Sequence, residues 1–191
     1  MSPNIQGIQH DLRAAKLDGW LFYDFRGRDP IAHNVLQLPN GMRTRRWYYF
    51  VPAKGEPKKL VHKIESESLA ALPGETLYYA KQDELHKNLK KILGRARRVA
   101  MQYSPKNEIP YVAMVDAGTI ELVRGAGAKV VSSADLVQKY EACWSPEQVE
   151  SHFSAGKIID RVVRGAFEHA ARSVREKKPL TEYDLDRKSV V

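Results

Sequence analysis

Six histidines, His10, His33, His62, His86, His152 and His169, are the first residues to test for chemistry. A hydrolytic metal centre needs imidazoles, thiolates or carboxylates brought to one point. In sequence that shows as H-x-x-x-H, H-E-x-x-H or clustered Cys/His spacings. None of the six histidines makes such a pattern. Asp83 and Glu84 stand at a predicted helix start, where acids favour the helix dipole rather than a metal. No metal ligand is therefore assigned. A serine nucleophile would sit in G-x-S-x-G, which the chain lacks. The one cysteine, Cys143, excludes an internal disulfide and a cysteine-based zinc site. It precedes a helix start, a position that lowers a thiol pKa, but a lone cysteine is more often a small buried apolar residue, and that reading is taken. "GAG" at 125–127 is followed by Val130 where a dinucleotide loop needs glycine, so it reads as a helix end.

"RTRRWYYF", Arg43 to Phe50, combines arginines with aromatics, as nucleic-acid surfaces do. Four of those aromatics are consecutive, and a strand sends alternate side chains to opposite faces. Only half could form one stacking platform. The segment is read as a sheet strand with its arginines at the entry end.

These residues must be positioned by some fold, and the composition bounds which. The chain has 191 residues, 43% hydrophobic and 28% charged, as suits one globular domain or one domain with part of another. No apolar run approaches the roughly 20 residues that span a bilayer, and the N-terminus has no apolar signal segment. A cytoplasmic protein without a membrane partner is expected. The net charge of +8 is spread along the chain, so it is read as ordinary solubilising charge rather than as a nucleic-acid footprint.

Ile5, Ile8, Leu12 and Ala15 lie on one helical face, and Gly19 stops that helix. "WLFYDF" at 20–25 predicts a strand, and 31–38 is apolar but ambiguous. "RRWYYFVP" and "KKLVHKI" predict the two strands of a hairpin around "KGEP". "TLYYA", "RRVAMQY" and "AKVVSS" predict further strands. Helices follow after Asp83, Asp116 and Ser133, each a candidate N-cap. Alternation of strands and helices predicts an α/β layer structure. The strongest local signal is "WSPEQVESHFSAGKIID" at 144–160. Ser145 with Gln148 forms an S-x-x-Q capping box, and Pro146 occupies the first helical position. Val149, Phe153, Ile159, Val163, Phe167 and Ala170 recur at threes and fours, which predicts one helix to about Lys178 with an apolar face in need of cover. The stretch after Pro179 has few apolar residues and is expected to be poorly ordered.

The order and wording of "GWLFYDFRGRDPIA", "RRWYYFVPAKGEPKKLVHKIE", "RVAMQYSPKNEIPYVAMVDAGTIELVR" and "VVSSADLVQKYEACWSPEQVESHFSAGKIID" resemble the N-terminal part of creatinase/prolidase-like peptidases. These are the Xaa-Pro dipeptidases and aminopeptidases P, of pita-bread fold. The resemblance covers about residues 5–185, and "PLTEYDL" at 179–185 looks like the start of the second helix of the family's catalytic domain. It implies an α/β domain at 1–140 with a mixed sheet flanked by helices. Residues 141–191 would be the linker and first long helix of a truncated metallopeptidase catalytic domain.

In that family two divalent metals (Mn, Co or Zn) are held by two Asp, one His and two Glu, all downstream of the "TE" position. None of those ligands can be placed on this sequence. The resemblance thus implies a chain that binds no metal and is inactive alone. It would act as the dimerisation and substrate-gating domain of an Xaa-Pro peptidase whose substrates are short proline-containing peptides. The mouth candidates are the loop "FRGRDPIAH", with Asp29 and His33, and "RTRRW", with Arg45 and Arg46. Asp29 would hold a peptide amino group and Arg45 or Arg46 a carboxylate. The rival readings are a non-catalytic assembly module of the same fold and, behind it, a basic nucleic-acid-binding protein.

Overall fold

The computed structural model describes residues 3–189, and within it the chain forms two compact units, Met1–Cys143 and Trp144–Val191. The first begins with α1 (Ile5–Ala14), whose N-terminus is capped by Asn4 accepting from the Gly7 amide. Strand β1 (Gly19–Asp24) follows, then α2 (Pro30–Val35), β2 (Trp47–Pro52), β3 (Lys58–His62), β4 (Glu75–Tyr79) and α3 (Gln82–Leu93). The unit closes with β5 (Arg98–Met101), α4 (Ala117–Gly125), β6 (Lys129–Ser132) and α5 (Ala134–Glu141).

The six strands form one mixed sheet in the order β4-β3-β2-β1-β5-β6. β1 pairs antiparallel with β2 and β2 with β3, while β1–β5, β3–β4 and β5–β6 are parallel. β1 is central and all six of its residues are buried, as a strand covered on both faces requires. Its alternation divides two cores. Trp20 and Phe22 face α1, α2 and α5 together with Trp47, Tyr49, Ile8, Leu12, Ile31 and Leu136. Leu21 and Tyr23 face α3 and α4 together with Tyr48, Phe50, Leu85, Leu89 and Ile120. The consecutive aromatics 47–50 are thus shared between the two cores, each at most 3% exposed, which removes them as a base-stacking surface.

The ambiguous segment at 31–38 is helical. Asp29 accepts from the Ala32 amide as N-cap and Pro30 supplies the first helical position, a start signal that outweighs the apolar run. The helix expected to be capped by Asp83 starts two residues earlier, with Lys81 in the N-cap position. Glu84 reaches back to the amides of Ala80 and Lys81 and satisfies the end instead. Asp116 caps α4 as expected, accepting from Thr119. Ser133 precedes α5, but its hydroxyl makes no capping bond. On one face of the sheet Asp11 of α1 accepts from Lys139 Nζ and Tyr140 Oη of α5, each at 2.6 Å. Gly74 turns the chain into β4 with φ +105°, and a Cβ there would collide with the Pro57 carbonyl.

The second unit contains α6 (Pro146–Arg175), 30 residues long, and α7 (Glu182–Ser189). Ser145 and Gln148 form the reciprocal capping box that their spacing predicts. Phe153, Ile159, Val163 and Phe167 are exposed on α6. Within the stretch after Pro179, Glu182–Ser189 form a helix. Thr181 and Asp184 exchange capping bonds, Thr181 N–H to the carboxylate and Asp184 N–H to the hydroxyl, and this local chemistry starts α7. No helix among the described residues is long and apolar enough to cross a membrane.

Candidate functional site

The carboxyl ends of β1, β3, β4, β5 and β6 and the entry of β2 all lie along one edge of the sheet, because β2 alone runs the other way. In open α/β sheets this is the edge at which loops gather ligands. Two groups of polar side chains occupy it.

The first is built on Asp24, the last residue of β1, which is 1% exposed. Its carboxylate accepts from the amides of Gly27 (2.9 Å), Arg28 (2.6 Å) and Asp29 (3.0 Å). The loop can wrap it because Arg26 and Gly27 both take positive φ, 64° and 70°, turning successive N–H groups inward. His33 Nε2 lies 3.3 Å from Asp24 Oδ2, and its ring packs 6.0 Å from Trp47. Burial pushes the Asp24 carboxyl up, but the bonds from His33 and the loop amides outweigh it and hold it below the usual range. Asp29 is the opposite case. It is also 1% exposed, its Oδ1 accepts from Ala32, and its buried Oδ2 has no hydrogen-bond partner. Burial raises its carboxyl to about 7, and the neighbouring Asp24 charge adds to the rise.

The second group surrounds a cavity of about 420 Å³ lined by Phe25, Arg45, Arg46, His62, Tyr79 and Lys81, with Ala80 and Gln82. The loop carrying the arginines is pinned at two points. Glu65 accepts from the Thr44 hydroxyl (2.5 Å) and from the amides of Thr44 and Arg45. Tyr79 Oη donates to the Arg46 carbonyl at 2.7 Å. Burial would raise Glu65, but the Thr44 bonds and the Arg45 amide hold its carboxyl below the usual range. Arg46 donates to Gln82 Oε1 at 2.7 Å. His62 Nδ1 accepts from the Ile64 amide at 3.1 Å, which leaves its ring proton on Nε2.

Of the residues that the sequence singled out, Arg45 and Arg46 share this cavity, whereas Asp29 and His33 do not line it. The latter two belong to the Asp24 cluster, on the face of Trp47. Asp29, read as a candidate for a peptide amino group, is a buried helix cap. His33, half-open to solvent, is held by Asp24. Sequence reasoning missed Asp24, Glu65, His62, Tyr79 and Lys81. Asp24 followed by "FRGRD" carried a signal, since an acid before a glycine-containing turn commonly accepts its amides. The other four come together only across the sheet. Cys143 is exposed, which corrects its reading as a buried apolar residue. It follows α5, and its thiol lies 3.6 Å from the Gln138 carbonyl. Among the described residues, no three His, Cys, Asp or Glu side chains lie together as metal ligands, and neither polar group fits a metal centre.

No family model and no curated protein sequence matches the chain. Solved structures do. A prolidase from Pyrococcus horikoshii is similar with a TM-score of 0.53 at 16% identity, over 86% of this chain and 42% of the prolidase. The chain therefore spans less than half the length of that protein. A proline dipeptidase structure from Streptococcus pneumoniae is similar with a TM-score of 0.55 at 19% identity, over 75% of this chain and 100% of that one. The creatinase/prolidase N-terminal domain of an X-Pro dipeptidase from Streptococcus pyogenes gives 0.53 at 14% identity, over 71% of this chain and 96% of that domain. The mixed sheet with flanking helices is the fold of these creatinase-type N-terminal domains.

Proposed function

We propose that this chain is the pairing and substrate-gating domain of an Xaa-Pro peptidase of the creatinase/prolidase type. The observation that supports it most is the near-complete coverage of the N-terminal domain of an X-Pro dipeptidase and of a creatinase-type domain of another dipeptidase. In this reading the chain limits access of short proline-containing peptides to an active site whose metal ligands its described residues do not supply. Two divalent metals, Mn, Co or Zn, would activate water in the complete enzyme. This chain's residues bind and orient. Arg45 and Arg46, on a loop fixed by Glu65 and Tyr79, offer guanidinium groups to a peptide carboxylate. Asp29 and His33 shape the neighbouring loop rather than contact the peptide directly. The unpaired cysteine suits a reducing, cytoplasmic setting.

The pairing surface is assigned to α6. Phe153, Ile159, Val163 and Phe167 stand on one face, and burying each such side chain is worth roughly 1.5–3 kcal/mol. A second copy of the same helix satisfies both faces at once. The expected result is a dimer by sedimentation, converted to monomer by the double substitution F153D/F167D. Incubation with Gly-Pro or Ala-Pro substrates and added Mn²⁺, Co²⁺ or Zn²⁺ is expected to yield no cleavage. Chelator-sensitive hydrolysis by the purified chain would overturn the gating reading. A monomer at high concentration would remove α6 as the interface. The assembly-module reading shares the pairing but predicts no affinity for peptides with a free carboxylate, which a titration with Gly-Pro separates.

A further inference from the structure

We infer that the cavity at the entry of β2 is a binding site for the phosphoryl group of a small soluble phosphate ester. The inference stands on the cavity itself: it competes with the peptide-carboxylate role given above to Arg45 and Arg46 and leaves the pairing role of the chain untouched. Arg45, Arg46, His62 and Lys81 line it, and no carboxylate does. The guanidinium of Arg45 and the ammonium of Lys81 make no hydrogen bond or ion pair among the described residues. Glu65 lies near Arg45 and Glu84 near Lys81, and each acid feels its cation across space, but neither forms a direct ion pair with it. Glu65 is engaged by the amides of Thr44 and Arg45, and Glu84 by the amides of Ala80 and Lys81. Both acids therefore fix the main chain that carries the cations and leave the hydrogen-bond donors of the cationic heads unfilled. Tyr79 fixes the Arg46 carbonyl in the same way. Holding donors in place before the ligand arrives reduces the ordering cost of binding.

The number of donors selects the ligand. A carboxylate has one charge and two oxygens, which a single arginine fork fills. A phosphate ester carries close to two charges and three acceptor oxygens. Two arginines, a lysine and the His62 Nε2–H match that set, with His62 fixed as a donor by the Ile64 amide at its other nitrogen. Phe25 and Tyr79 give the cavity an aromatic side, and its volume of about 420 Å³ exceeds what a phosphate alone fills. The favoured ligand therefore joins the phosphoryl group to an apolar or planar body.

The test is calorimetric titration of the full chain at low ionic strength with phenyl phosphate, inorganic phosphate and acetyl-Gly-Pro. Phenyl phosphate is expected to bind best, with the carboxylate probe weaker by roughly tenfold or more. R45Q and K81Q, both at exposed heads and checked for folding by circular dichroism, are each expected to weaken phenyl phosphate roughly ten-fold. K129Q, on another strand, leaves it unchanged. Affinity should fall as NaCl is raised. Absence of saturable phenyl phosphate binding would overturn the inference, as would equal or tighter acetyl-Gly-Pro binding or full affinity in R45Q and K81Q. Binding to phosphatidylserine vesicles that needs Arg45 would overturn it as well, by showing that the cations serve a membrane surface instead.

Discussion

Asp29 offers a sharp test because its burial sets a sign as well as a size. Its carboxyl ionises near 3.8 when the chain is unfolded and near 7 when folded, chiefly because burial disfavours the charge. Below pH 3.8 both states hold the proton and nothing is lost. Between there and about 7 the folded chain keeps a proton that the unfolded chain has released, so stability falls as pH rises. Above about 7 both are ionised and the full penalty remains. That interval corresponds to roughly 4 kcal/mol, of which roughly 1.5 is already present at pH 5. Asp29→Asn removes the titration and keeps the cap, since an amide oxygen accepts from Ala32 as a carboxylate oxygen does. Urea denaturation of both proteins at pH 5 and pH 8 reads the difference. The variant should gain on the parent by roughly 2–3 kcal/mol between the two pH values, with the parent the less stable at pH 8. A stability gap that is the same at both pH values would refute the argument. So would a gap that narrows toward pH 8, because then the folded carboxyl is not disfavoured.

Three further outcomes test the fold and the site. Leu89→Ala opens a cavity where α3 meets the sheet, at a fully buried position, and should cost about 2–5 kcal/mol by chemical denaturation. Tyr79→Phe removes the bond to the Arg46 carbonyl. It should cost about 1 kcal/mol of stability, read by the same method, and loosen the arginine loop, read as faster amide exchange at Arg46. Ser145→Ala breaks the capping box of α6 and should destabilise that helix by about 1 kcal/mol, seen as lost helicity by circular dichroism.

Much of this architecture is written locally. The capping box at Ser145, the Asp116 cap, the strand at Trp47–Pro52 and the helix of α3 follow from hydrogen-bond chemistry and periodicity within about ten residues of chain. The start of α2 was equally local, yet its apolar run hid it. Asp29 and Pro30 decide the helix, and Ile31, Ala32 and Val35 are apolar because both sheet faces are covered. The resemblance of ordered segments led to the creatinase-type fold because that order fixes which strands can pair. The sites were not local. Arg45 and Arg46 are visible in sequence, but His62, Tyr79 and Lys81 join them only because β3 and β4 run parallel and end at the entry of β2. Asp29 has the residue type of a binding acid. Its surroundings make it a buried cap with a raised pKa, since desolvation is a property of neighbours far along the chain and not of the residue itself.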